Sequence, residues 1–300
     1  MKYFCVAATN ENKRKRKPIK SDKDITSQTR IPWNSARLSA SVVFSLKGHT
    51  EDEGVSNGEH SGMVEPYPCE QPLPCSHFVE VPHINQQDSW DCGLACVLMV
   101  FRTLGIDNCD IQTLAELCHT NSIWTVDLAF LLRKFSISFS YFTVTFGANP
   151  NYSGETFYKE QLPNDLERVD NLFQKALEAG INIQRRSISR EEICFSILSG
   201  KYIAIVLVDQ YKLSRSSPDD VFVSDYCVSN SGYTGHYVVI CGYDTTADEF
   251  EIRDPACSRK NERISSTCLE EARKSFGTDE DLLLISLKKS GKQNRPGTHQ

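Results

Sequence analysis

Val81-Pro82-His83-Ile84-Asn85-Gln86-Gln87-Asp88-Ser89-Trp90-Asp91-Cys92-Gly93-Leu94-Ala95-Cys96 joins a polar loop to an apolar run, and a cysteine stands at the junction. From Cys92 to about Leu104 the residues Leu94, Ala95, Val97, Leu98, Val100, Phe101 and Leu104 leave almost no polar face. That pattern predicts a central buried helix, stopped by Gly105. Asp91 sits where an N-cap belongs. A cysteine in the first turn of such a helix lies beside unpaired N–H groups and the positive end of the helix dipole, and both favour a thiolate. Gly93 allows another backbone or a substrate to come close. Gln86, six residues upstream, is placed to point its amide into the space above the sulfur, where an oxyanion would form beside the Cys92 N–H.

A thiolate needs a proton partner. His236, in Gly235-His236-Tyr237-Val238-Val239-Ile240, begins a strand after a glycine. Asp254, in Ile252-Arg253-Asp254-Pro255, ends the next strand. In an antiparallel hairpin the start of one strand lies beside the end of the next, which brings Asp254 to His236. Gln86, Cys92, His236 and Asp254 then stand in the chain order of papain-like thiol enzymes. Plainer readings compete: Cys92 as one more buried apolar residue like Cys96, His236 as a structural histidine, Asp254 as a turn former, and Gln87 in place of Gln86. Trp90 and Trp124 read as packing residues. Gly277-Thr278-Asp279-Glu280-Asp281 reads as a helix stop and acidic turn without chemistry.

Helices are predicted over 110–119, 125–135 and 164–179, and a capping box at Ser189–Glu192 opens another. Strands are predicted over 138–146, 181–188, 202–209, 236–243, 249–254 and 282–287, with a helix over 267–276 between the last two. Helices dominate the first half and strands the second. The expected class is α+β, a helical half packed on an antiparallel sheet. Residues 1–66 are polar, without a sustained period, and are expected to be a disordered arm. The domain is expected over about 67–287, with a basic tail at 288–300.

The chain has 300 residues, 40% hydrophobic and 24% charged, which suits a globular domain. Its net charge of -6 is uneven: residues 1–66 carry 11 Lys/Arg against 8 Asp/Glu, and the remainder 22 against 31. A domain so acidic argues against a nucleic-acid groove. The apolar run ending at Phe101 is about half a membrane span, so no membrane partner is expected. The start of the chain lacks the apolar core of a secretory signal, so the 12 cysteines are expected to be reduced thiols in the cytosol. Lys13-Arg14-Lys15-Arg16-Lys17 would direct nuclear import, or is a solvated charge cluster. There is no C-x-x-C pair and the histidines are scattered, so no metal site is expected.

Gln-x5-Cys-Gly, Gly-His-Tyr and the Asp-Pro turn resemble the papain-like fold, with a motif similar to that of C39-type bacteriocin-processing peptidases. Over about 75–287 the chain also resembles the guanylyl-cyclase-domain-containing family, including its plant soluble members. The segments that carry this are Ser89–Cys96, Ser122–Ala129, Ala204–Val208 and Phe276–Asp281. The resemblance implies conversion of GTP to cyclic GMP and pyrophosphate, with Mg2+ or Mn2+. The residues themselves imply a thiol hydrolase or transferase acting on an amide, ester or peptide, with no cofactor. Neither G-x-x-x-x-G-K-[ST] nor G-x-G-x-x-G occurs. The expected partner is a small-molecule or peptide substrate, GTP on the cyclase reading. A scaffold without turnover is a third possibility.

Overall fold

A β-sheet with helices on both faces organises the chain in the computed structural model, which describes residues 73–214 and 233–288. The expected arm at 1–66, the basic run at 13–17 and nearly all of the C-terminal tail lie outside the described residues. The elements in chain order are β1 (Ser76–Phe78), α1 (Cys92–Thr103), α2 (Ile111–Cys118), α3 (Thr125–Lys134), β2 (Phe139–Thr143), α4 (Leu162–Ala176), β3 (Ile183–Arg185) and α5 (Arg190–Leu198). Then come β4 (Tyr202–Asp209), α6 (Gln210–Ser214), β5 (Gly235–Asp244), β6 (Glu249–Arg253), β7 (Glu262–Ser265), α7 (Ser266–Arg273) and β8 (Leu282–Ser286). A short 3-10 turn at Pro150–Gly154 precedes α4.

The sheet runs β3-β2-β8-β4-β5-β6-β7, with β1 added along the far end of β5. All pairs are antiparallel except β2 with β3. β4 shows why the sheet sits centrally. Ile203, Ile205 and Leu207 join the core that also holds α1, α3 and α4, whereas Ala204, Val206 and Val208 join the core under α5 and α7. A strand covered on both faces reads as a continuous apolar run rather than an alternating one. The class is α+β as expected, with two additions: a second helical layer under α5 and α7, and one parallel strand pair.

α1 is buried from Cys92 to Phe101. Its first turn packs on β5: a Cβ added at Gly93 would lie 3.0 Å from Tyr237 Cδ2 and 3.1 Å from Leu128 Cδ1. The Cys96 thiol donates to the Tyr237 carbonyl at 3.3 Å. The close approach expected at Gly93 was of a backbone or a substrate; the groups nearest it are instead two core side chains. Among the described residues, no helix is long and apolar enough to cross a membrane.

Candidate active site

The α1 start, the beginning of β5 and the end of β6 meet at one place. Cys92 is the first residue of α1, and Asp91 holds the N-cap position, its carbonyl accepting from Ala95 N at 3.0 Å. The Asp91 side chain does not cap the helix as expected. It turns back to accept from the Gln87 and Asp88 N–H groups at 3.1–3.2 Å, bracing the preceding turn. The N-cap side chain therefore leaves the N-terminal N–H groups of α1 beside Cys92 uncapped.

His236 is 3% exposed, and its Nε2 donates to Asp254 Oδ1 at 2.7 Å. The Cys92 side chain lies near enough to the same ring to favour its protonated form. Burial works to lower the imidazole's proton affinity. The Asp254 hydrogen bond and the nearby Cys92 and Asp254 side chains outweigh it and push His236 up to about 9. Asp254 moves in the complementary direction. Burial works to raise it, but the hydrogen bond and charge of His236 and the Ala256 N–H, 2.8 Å from Oδ1, hold the carboxyl below its usual range.

The Gln86 side-chain amide has one hydrogen bond among the described residues. Its Nε2 donates to the Asp88 carbonyl at 2.7 Å, and its Oε1 is buried without a hydrogen-bond partner among the described residues. Gln86 is also absent from the walls of the cleft described below. The amide N–H is tied to the Asp88 carbonyl, two residues on, within its own turn.

Five hydrogen bonds lace the loop from Val81 to Gln86 onto the end of β6. His83 Nε2 donates to the Asp254 carbonyl at 3.0 Å, and Asn85 Nδ2 to the Pro255 and Cys257 carbonyls at 3.3 and 3.1 Å. Gln86 N donates to the Pro255 carbonyl at 3.0 Å, and the buried Arg253 donates through Nε to the Val81 carbonyl at 2.9 Å. His83 and Asn85 were not foreseen. Their partners are backbone carbonyls about 170 residues away, which leave no signature in the local sequence.

Cys92 opens onto a cleft of about 320 Å³. Trp90, Trp124, Phe157, Tyr158 and Tyr237 form much of its wall, so both tryptophans expected only to pack also face the cleft. The Trp124 wall is set by a buried polar network. Trp124 Nε1 donates to Asp165 Oδ2 at 2.9 Å and Trp124 N to Asp127 Oδ2 at 2.9 Å, while Arg168 bridges Asp127 at 2.7 Å and Asp165 at 3.0 Å.

Asp279 and Asp281 line the same cleft, and sequence reading had left them as an acidic turn. Gly277, Asp279 and Glu280 adopt positive φ of 106°, 49° and 52°, a conformation that non-glycine residues seldom take. The turn sends both aspartates inward. Asp279 Oδ1 accepts from the Tyr152 hydroxyl at 2.6 Å, and Asp281 Oδ2 from the Tyr141 hydroxyl at 3.0 Å. Burial raises both carboxyls, and the charge of Asp279 raises Asp281 further. The detectable signal was the run of Asp, Glu, Asp after a glycine, which fits an exposed acidic turn equally well.

Comparison with known proteins adds a family to this geometry. Guanylyl cyclase 1 of Arabidopsis thaliana is 67% identical over 222 residues, covering 74% of this chain and 81% of that protein. A solved chain from Bacillus anthracis described as a C39-like peptidase shares 15% identity over 70% of this chain and 96% of its own, at a TM-score of 0.41. Residues 81–285 match the model of the family described as guanylylate cyclase, and the chain belongs to that family.

Proposed function

We propose that the chain is a thiol-dependent hydrolase or acyl transferase with Cys92 as nucleophile. The observation that carries this is the linked set Cys92, His236 and Asp254, with 2.7 Å between His236 Nε2 and Asp254 Oδ1, opening on a cleft. The Cys92 sulfur attacks a carbonyl carbon, and the displaced C–N or C–O bond breaks as His236 passes its proton to the leaving nitrogen or oxygen. The product is a thioester on Cys92. Water, or an amine in the transfer case, then gives a proton to His236 and attacks the thioester, and Cys92 leaves. Asp254 fixes the ring and stabilises its charged form. The uncapped N–H groups at the start of α1 are the donors available to the oxyanion.

Family membership and the name of the 67% identical relative favour a second reading, conversion of GTP to cyclic GMP and pyrophosphate. A metal-assisted route fits these residues poorly. Among the described residues, no group of three or more His, Cys, Asp or Glu could hold a metal ion. Among the described residues, no Lys or Arg lines the cleft to take a triphosphate.

One pair of proteins separates the readings. Wild type and Cys92→Ser are assayed for ester and peptide hydrolysis with and without EDTA, and for cyclic GMP from GTP with Mg2+ or Mn2+. Hydrolysis that ignores EDTA and falls at least about 100-fold in Cys92→Ser is the expected result. Metal-dependent cyclic GMP formation, equal in both proteins, would establish the cyclase instead. Silence in every assay would leave the scaffold.

A further inference from the structure

The cleft has a second chemical feature besides Cys92. Asp281 is 5% exposed and lines the cleft, and its Oδ1 has no hydrogen-bond partner among the described residues. The Thr125 and Thr143 hydroxyls lie near enough to favour its charge, but they do not reach hydrogen-bonding geometry with that oxygen. A buried acceptor without a partner is unfavourable. Glycine and two strained positions are spent on holding this turn inward.

We propose that Asp279 and Asp281 form a subsite for a cationic nitrogen group, an ammonium or guanidinium, carried by the substrate whose acyl carbon Cys92 attacks. The assignment of the acyl carbon rests on the thiol reading above; the subsite itself does not. Three further observations support it. The two carboxyls share one cleft with Cys92, so one ligand of modest size reaches both. No Lys or Arg among the lining residues competes for them. Trp90, Trp124 and Tyr158 supply ring faces, which attract a cation. Charge on a buried carboxyl is unfavourable until a partner neutralises it, and a substrate cation supplies that partner. The same electrostatics work against a polyanionic substrate.

The test uses the full chain and two small thiol reagents with the same reactive group and opposite charge, 2-aminoethyl and 2-sulfonatoethyl methanethiosulfonate. Each forms a disulfide with Cys92 and releases methanesulfinate. Rates at Cys92 are followed by mass mapping and normalised to free cysteine. The cationic reagent is expected to be favoured about tenfold or more, with the preference collapsing in Asp281→Asn and Asp279→Asn. A second readout needs no thiol and neither aspartate variant. Benzylamine should change the tryptophan fluorescence of Cys92→Ala at far lower concentration than benzyl alcohol does.

If both reagents label Cys92 at equal normalised rates and benzylamine binds no better than benzyl alcohol, the subsite is overturned and the thiol reading stands. If neither reagent labels Cys92 but benzylamine binds selectively and Asp281→Asn abolishes it, the subsite stands and the thiol reading falls. Guanosine binding that outcompetes benzylamine and is lost in Asp281→Asn would overturn the cationic assignment in favour of a neutral purine.

Discussion

His236 is the residue on which proton chemistry and stability meet. Its folded value of about 9 lies above the unfolded 6.5, so its protonated form stabilises the fold. That contribution is fully present below about pH 6.5, roughly 3 kcal/mol, and is lost as pH rises through about 9. His236→Gln should therefore destabilise the domain more at pH 6 than at pH 9.5, as read from urea midpoints at the two values. A penalty that grows with pH would contradict the reading. Gly93 offers a second single-residue test. Alanine gains about 1 kcal/mol of helix propensity, but its Cβ would press on Tyr237 at 3.0 Å and Leu128 at 3.1 Å. Overpacking of that kind is unfavourable by about 1–3 kcal/mol, so Gly93→Ala should lower the thermal midpoint. An unchanged or raised midpoint would show that the ring yields freely.

Elements differ in how openly the sequence announced them. β4 was legible at its observed bounds because two buried faces demand an unbroken apolar run. α1 and the Ser189 capping box were equally plain, and the box forms as read, with Ser189 Oγ accepting from Glu192 N at 3.1 Å. β7 was missed because Glu262, Arg263 and Ser265 are partly or fully exposed and only Ile264 is buried. β1 was missed because three residues carry no period, and it is defined by its pairing with Gly242–Asp244. The loop from Val81 to Gln86 also depends on long-range partners. His83→Ala removes one bond to the Asp254 carbonyl and should destabilise by about 1 kcal/mol. Combined with Asn85→Ala, the loss should exceed the sum of the single effects, since both tie the loop to one turn. Strict additivity in denaturant titrations would mean that the two bonds act independently.

At the scale of the molecule, the site draws on stretches far apart in the chain: the start of α1, the β5–β6 hairpin and the turn before β8. Cys92, His236 and Asp254 were legible as candidates because each occupies a strand or helix end with its own local signal. For Gln86 the spacing fixes reach but not direction, and its bond to the Asp88 carbonyl could not be read from the sequence. Asp279 and Asp281 were passed over because inward and outward acidic turns look alike until the tyrosines of β2 and the 3-10 turn are seen to meet them. The central claim is that this assembly activates one thiol, and burial gives it a sharp test. Cys75 is exposed and Cys92 buried, so access alone makes Cys75 the faster to alkylate. Limiting iodoacetamide at pH 6, followed by mass mapping, should instead label Cys92 first, and His236→Ala should restore the order set by access. Cys75 reacting ahead of Cys92 in the wild-type protein would contradict the account.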